Sequence, residues 1–459
     1  MFQYFRINDP YRLIAVFILA FIIRIIYFFL DLPITTVELK WLLLGERLGD
    51  GFSMYRDAYD YTGPLSAAVY GLLDIVFGRS IVMHQLLATL LLATNASIFN
   101  IMLIRNRAYE ENNYLPALFF VLLGFVIPDF VSLSPQLMAS FFIILTLNNV
   151  FRRINNQVED NLFLNSGIYL GLAGLFYFPA ILFVLLFLIA LLLFSSAILR
   201  RIVLYLYGFS IPFILVFGYY FWYDSGIFFV RMILTGITGE AVRYIEFQGF
   251  WIIAGFMGFW LLLGFYGSFF LSRQNNYEFR ILQVMLLFVV TSTGIIFLDR
   301  ELSVTQFVFF LPPISYFLTY YAISIKKRFW KIVMPGCIVI GLISGPFVFR
   351  NYFSSFLKTI DTTVKPIGEK ERLMLCGDEL SYYLHHKIAS PFIDPYISKR
   401  QDDRLDFYGQ AEDVFFSISG NYPDIIKDDW NIMDQYFEVF PEIKNNYRKE
   451  DSVYVRITD

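Results

Sequence analysis

From about residue 12 to residue 349 the chain repeats one pattern, a long unbroken apolar stretch followed by a short polar loop. A run of ~18 or more apolar residues is long enough to cross the hydrocarbon core of a bilayer as a helix. About eleven such runs can be drawn by that criterion, over residues 12–31, 81–104, 114–128, 132–151, 162–178, 179–199, 202–222, 250–271, 281–298, 305–325 and 332–349. The alternation ends near Asn351, and the stretch from there to Asp459 has an ordinary mixed composition. The pattern predicts a mainly α, polytopic transmembrane helical bundle over residues 1–350 and a C-terminal α/β domain over residues 351–459.

Two regions break the rhythm. The segment Gly63–Phe77 (GPLSAAVYGLLDIVF) is apolar but short, and it contains Asp74. Pro64 suits the first turn of a helix, so the segment reads as an interfacial or re-entrant helix within the loop after the first span. In the tail, Arg372–Cys376 and Pro423–Lys427 read as strands, and Ser452–Ile457 alternates like a closing one. Helical periodicity runs from Gly377 towards His385, over about 406–416 and over Trp430–Phe440. Alternating βα units imply at least partly parallel pairing.

Charge orients this pattern. Arg6, Arg12, Arg105, Arg107, Arg152, Arg153, Arg200, Arg201, Arg273, Arg280 and the basic stretch Lys326–Lys331 all fall on one side of the bundle. Short cytoplasmic loops carry the excess of Lys and Arg. The amino terminus is therefore expected in the cytoplasm and, after an odd number of spans, the tail outside. Reading Gly63–Phe77 as a span would invert every later loop. Composition agrees with a multi-pass protein of the inner or plasma membrane. With 57% hydrophobic and 16% charged residues and a mean hydropathy of +0.58, the chain cannot hide its apolar surface in water. The net charge of −3 and the lack of a long basic block argue against a nucleic-acid partner. The 53 Phe and 31 Tyr fit lipid-facing and interfacial packing. Two cysteines, Cys337 and Cys376, suggest neither a disulfide framework nor a thiolate metal site. The first apolar run lacks a small-residue cleavage pattern after it, so it reads as a retained helix.

Candidate chemistry is concentrated in the first outer loop, TTVELKWLLLGERLGDGFSMYRDAYDYTGPL, with Glu38, Glu46, Asp50, Asp57, Asp60, Lys40, Arg47 and Arg56. Glu38 follows directly on the first span, at the interface, where a partly desolvated carboxylate can act as a base. The plainer alternative is that these charges solvate a loop. His385-His386 is a weak metal site, because neighbours on a helix point about 100° apart. Asn95-Ala96-Ser97 fits a glycosylation sequon but falls inside a span. There is no nucleotide-binding P-loop and no dinucleotide fingerprint.

The order of several short motifs resembles the C-type glycosyltransferase superfamily, the membrane enzymes that include protein mannosyltransferases and aminoarabinose transferases. The matching pieces are Val37-Glu38, the Gly45–Gly51 stretch, Tyr61-Thr62-Gly63-Pro64-Leu65 leading to Phe77-Gly78, and Gln306–Pro313 (QFVFFLPP). In the tail, Leu373–Leu384 (LMLCGDELSYYL) and Tyr422–Asp429 (YPDIIKDD) are similar to strand–turn–helix elements of some bacterial members. The resemblance implies inverting transfer from a polyprenyl-phosphate sugar, in the membrane, to an acceptor outside. It implies Glu38 as the catalytic base, in an outward-opening cavity bounded by the first outer loop and the late spans. Arg56, Arg243 and Arg300 would supply cations for the leaving lipid phosphate, and Asp57, Asp60, Asp129 and Gln306 would line the substrate site. An ordinary interfacial anchor is the plainer role for either late arginine. A divalent metal remains open, with no ligand set to support it.

The chain also departs from that pattern. Val37 stands where many members carry a first acid, Ser134-Pro135-Gln136 where a second acid is frequent, and Gln306 where a His is frequent. A non-catalytic scaffold or assembly factor that kept the architecture is therefore the second expectation. A transporter would show broken spans paired between two halves, and that symmetry is missing.

Overall fold

The computed structural model describes residues 2–324 apart from 31, 156–158, 195–198, 239–241 and 272–273. It also describes 356–394 and 422–457 apart from 362, 366, 368–371 and 451–452, with isolated positions between 325 and 355 and between 395 and 421. Helix dominates. In chain order come α1 (Tyr11–Phe29), α2 (Thr36–Gly49), α3 (Pro64–Phe77), α4 (Ile81–Arg105), α5 (Leu115–Gly124), α6 (Pro135–Ile154) and α7 (Asn161–Phe176). There follow α8 (Leu182–Phe194), α9 (Leu199–Trp222), α10 (Gly226–Thr238), α11 (Phe247–Tyr266), α12 (Asn276–Leu298) and α13 (Leu311–Ser324). Among the described residues, seven helices are long and apolar enough to cross a membrane, and shorter apolar helices stand at Pro64–Phe77, Leu115–Gly124, Asn161–Phe176 and Phe178–Leu193. Each span expected from the sequence up to 305–325 coincides with a helix. The last one, 332–349, and the expected helix over 406–416 lie outside the described residues apart from isolated positions. The chain is an integral membrane protein.

The fold divides into two compact units. The first comprises residues 1–32, 82–219 and 239–358 and contains the helical bundle. Its helices are apolar on most sides, as helices in lipid must be. α1 shows the division of labour: Val16, Ala20, Ile23 and Tyr27 are buried, while Ile14, Ile18, Ile22, Ile25 and Phe29 are exposed. Its one mid-span charge is satisfied inside the bundle, with Arg24 Nε donating to Thr89 Oγ1 at 2.8 Å and Nη2 to the Val131 carbonyl. Amides join other helices, with Asn95 Nδ2 donating to Ser140 Oγ at 2.8 Å and Asn149 Nδ2 to Ser166 Oγ at 3.2 Å. Such bonds hold helices together where lipid competes equally well for apolar surface. Asn95, the potential sequon residue, is wholly buried.

The second unit comprises residues 33–81, 220–238 and 359–459. Its sheet has the order β4-β3-β5-β7-β6, from β3 (Arg372–Cys376), β4 (Lys387–Ile388), β5 (Ile425–Asp428), β6 (Tyr447–Glu450) and β7 (Val453–Arg456). β3 runs parallel to both β4 and β5, and β7 runs antiparallel to β5 and β6. A short helix, α14 (Met433–Val439), packs Phe437 against Tyr454 with ring centroids 5.1 Å apart. The three strands expected from sequence are present, as is the helix near 433–439, and the parallel β3–β5 pair matches the βα reading. The turn after β3 is a 3-10 segment, Leu380–Leu384.

The first outer loop is built into this same unit. α2 and α3 pack side by side where glycine lets the backbones approach: a Cβ on Gly45 would stand 2.8 Å from the Tyr70 carbonyl oxygen. Backbone bonds tie the loop to the tail, with Ile360 N donating to Ile34 O at 2.9 Å and Tyr59 N to Pro391 O at 2.8 Å. Tyr59 also stacks on Phe392 at 5.5 Å.

Candidate functional site

Within the first unit, two short strands define the most developed site. β1 (Val242–Arg243) pairs in parallel with β2 (Glu301–Leu302), Val242 N donating to Arg300 O at 2.6 Å and Tyr244 N to Leu302 O at 3.0 Å. A third segment joins the platform, since Glu246 N donates to Phe356 O at 2.8 Å and Ile245 bridges to Leu357. The pairing brings the backbone of Arg300, the residue before β2, alongside β1, which carries Arg243. At this platform opens a cavity of about 560 Å³ lined by Arg243, Glu246, Phe247, Gln248, Phe356 and Lys358, among others. Two cations with apolar rings beside them suit an anionic headgroup on a hydrocarbon chain.

Next to β2 lies a polar cluster. Gln306 is completely buried. Its Nε2 donates to Asp299 Oδ2 at 2.5 Å and to the Glu301 carbonyl at 2.7 Å, which fixes which way the amide points. The Tyr177 hydroxyl donates to the same Asp299 oxygen, and Gln136 bonds to Tyr177. Gln306 and Tyr177 thus both donate to one carboxylate oxygen of Asp299. The amide oxygens of Gln136 and Gln306 are left without a hydrogen-bond partner among the described residues. Such a set is short of donors, and it favours a ligand bearing hydroxyl or ammonium groups.

The remaining sequence candidates are distributed as follows. Asp129 is half-buried in the 3-10 turn Pro128–Val131 of the first unit, its carbonyl accepting from Ser132 Oγ at 2.7 Å. Glu38, Arg56, Asp57 and Asp60 belong to the second unit. Glu38 is 7% exposed in the first turn of α2, where the helix dipole favours a carboxylate. Its backbone N–H is capped by Thr35 Oγ1 at 3.4 Å. Arg56 is exposed and pairs with its neighbour Asp57 at 3.2 Å. Asp57 accepts in turn from Ser53 N at 2.9 Å. Asp60 is wholly buried: one oxygen accepts from Thr62 N at 2.7 Å, and the other lies 3.6 Å from Lys40 Nζ. The same ammonium is 3.7 Å from Asp394, so one buried lysine stands between two buried carboxylates.

Sequence reasoning passed over Lys40 as a site residue, and over Asp394, Tyr177 and Asp299. The acid-rich triplet Asp299-Arg300-Glu301 before a late span was a usable signal for one of them. Nothing local marks Asp394 or Tyr177. His386, half of the only histidine pair, has Nε2 accepting from Ile367 N at 3.0 Å. Among the described residues no group of three or more His, Cys, Asp or Glu side chains converges to hold a metal ion.

No family model matches the sequence, and no curated protein matches it. Solved structures do match. The archaeal oligosaccharyltransferase AglB from Archaeoglobus fulgidus, in complex with an inhibitory peptide and a dolichol-phosphate, aligns with a TM-score of 0.50 at 10% identity, covering 98% of this chain and 74% of that one. ArnT from Cupriavidus metallidurans, bound to undecaprenyl phosphate, aligns with a TM-score of 0.50 at 13% identity, covering 76% of this chain and 68% of that one. At such identities the likeness is one of fold. The shared fold is a polytopic helical bundle with a C-terminal α/β domain.

Proposed function

We propose that this protein is a membrane glycosyltransferase that takes a sugar from a polyprenyl-phosphate donor and passes it to an extracytoplasmic acceptor. The observation that carries the reading is the cavity with Arg243 and Lys358 at its wall and Phe247 and Phe356 beside them. The cations suit a lipid phosphate, on which negative charge builds as the glycosidic bond breaks. The rings suit the first isoprene units. The fold neighbours bound to dolichol-phosphate and undecaprenyl phosphate support the choice of lipid. Glu38 is the proposed base that accepts the proton of the acceptor hydroxyl. Arg56, Asp57, Asp60, Asp129, Arg300 and Gln306 are proposed to serve substrate binding, with Asp60 acting through its buried pair with Lys40. The amino terminus is placed in the cytoplasm and the tail outside.

A second reading, a non-catalytic scaffold with the same architecture, draws on the two buried amides, Gln136 and Gln306, at positions where acid or imidazole chemistry is frequent in this superfamily. One experiment separates the two. Purified protein is tested for retention of undecaprenyl phosphate and for sugar transfer from a panel of glycosyl polyprenyl phosphates, with Glu38→Gln and the double variant Arg243→Ala/Lys358→Ala beside it. The enzyme reading expects the double variant to bind the lipid at least about tenfold more weakly, two charged contacts being lost. It expects Glu38→Gln to bind normally and to transfer at least about a hundredfold more slowly. Lipid retention without transfer by the unmodified protein favours the scaffold, and no retention at all rejects the lipid site.

A further inference from the structure

In the first unit, arginines collect where the ends of three helices meet. Arg152 and Arg153 stand in the last turn of α6, and Arg200 and Arg201 open α9. Both helices are long and apolar enough to span, so these side chains fall at the edge of the hydrocarbon layer. Two acids just ahead of α7 join the two pairs. Asp160 divides its oxygens, Oδ1 lying 3.2 Å from Arg201 Nε and Oδ2 3.4 Å from Arg200 Nη2. Its neighbour Glu159 is 3.6 Å from Arg152 Nη2. Asp160 occupies the N-cap position of α7 yet makes no side-chain cap bond, because its carboxylate is turned to the arginines. Arg201 also lies over the Phe163 ring of α7, 5.5 Å from its centre. Close backbone approach holds α7 beside α9: a Cβ on Gly167 would collide with the Tyr205 carbonyl, and one on Gly208 with that of Leu164.

The charges do not cancel. The stretches 152–160 and 195–201 hold four arginines against two acids and no other charged residue. Arg152 and Arg153 suit the carboxyl end of a helix, where the dipole is negative. Arg200 and Arg201 stand at the positive end of α9, where the dipole disfavours them, so helix stability does not account for their place. Exposed ion pairs contribute little, and 80% of the Arg200 side chain is exposed. A guanidinium presents its N–H donors in a planar fork that matches the oxygens of a phosphate. Along α9 the surface next to this fork is apolar, with Leu199, Val203, Leu206 and Tyr207 exposed on one face and Arg200 at its edge. Cations at the end of an exposed apolar strip match a molecule with an anionic head and acyl chains.

We propose that Arg152, Arg200 and Arg201, spaced by Glu159 and Asp160, form a binding site for an anionic phospholipid of the surrounding bilayer. Its phosphate lies on the guanidinium groups, and an acyl chain runs along Leu199, Val203 and Leu206. Asp160 sets the spacing of Arg200 and Arg201, and the phosphate brings the negative charge that two acids cannot supply to four arginines. The site shares no residue with the Arg243–Lys358 cavity and does not depend on the transferase reading.

The test uses the full-length protein in detergent micelles at matched ionic strength, with bound lipid counted by native mass spectrometry. Phosphatidylglycerol and phosphatidylcholine of the same acyl chains are compared. The unmodified protein is expected to retain phosphatidylglycerol about tenfold or more tightly than phosphatidylcholine. Arg152→Gln/Arg200→Gln is expected to lose that preference, phosphatidylglycerol binding falling about tenfold or more. Arg200→Gln alone, at a largely exposed side chain whose loss folding tolerates, is expected to weaken it severalfold. Arg243→Ala/Lys358→Ala is expected to keep it. The proposal is overturned if the unmodified protein shows no preference, if the Arg152/Arg200 variant binds as its parent does, or if the preference disappears with Arg243 and Lys358 instead. It is equally overturned if inorganic phosphate displaces the lipid at the same concentration, since the site would then recognise a free anion. Retention of undecaprenyl phosphate, measured on the same preparations, reports on the transferase reading independently.

Discussion

Single residues carry most of the electrostatic stress in the second unit. Lys40 is 1% exposed between Asp60 and Asp394. Removing one member of a buried ion pair leaves the other charges without compensation. Lys40→Met is therefore expected to destabilise the unit by about 3–5 kcal/mol, read as a fall in the unfolding temperature. Asp394→Asn, which leaves the lysine with Asp60, should cost less. Glu46 behaves differently. Burial pushes its carboxyl above the ordinary 4.5, and Arg79, 3.1 Å away, offsets only part of that rise. The unfolded chain ionises this group first, so the stability it contributes is whole below about pH 4.5 and declines as pH rises through the raised value. Glu46→Gln should flatten the stability–pH curve in that window, and a curve of unchanged slope would remove Glu46 as its source. At this scale the sequence was partly informative. It exposed Glu38 and the arginines as candidates, because charge beside an apolar span is conspicuous. It could not tell that Asp60 is sealed inside an ion pair, since Asp394 lies hundreds of positions away and has no local signature.

Elements with long apolar periods were legible, and small ones were not. The spans follow from composition, because a stretch that must satisfy its backbone in lipid has no choice but helix. Gly63–Phe77 was likewise readable as a helix from Pro64 and its length. The pairing of α2 with α3 was not. Gly45 opposes Tyr70, and a Cβ on Gly71 would stand 3.1 Å from Leu48. Gly45→Val should push the helices apart, at a cost of about 1–3 kcal/mol, measurable as lower thermal stability with the helical circular dichroism retained. β1 and β2 span only two residues each, too few for a period-2 pattern to show. They nevertheless decide the site, because their hydrogen bonds carry Arg243 and Arg300 onto one platform.

At the scale of the whole molecule, the loop after the first span and the C-terminal tail form one folding unit, so topology can be tested at both ends of the chain. Single cysteines at Asp57 and Arg79 are expected to react with an impermeant thiol reagent from the same side, the outside, and protease added to spheroplasts should cleave the tail. Labelling of the two positions from opposite sides would mean that α3 crosses the membrane. The sequence by itself determined the membrane class, the succession of helices and the α/β character of the tail. Each of these follows from local periodicity and composition, which the solvent reads residue by residue. Only the tertiary structure decided the partners: Lys40 with Asp60 and Asp394, Gln306 with Asp299 and Tyr177, and the outer loop with the distant sheet. Those depend on contacts between segments far apart in the chain, and nothing in the local pattern encodes which buried charge will meet which.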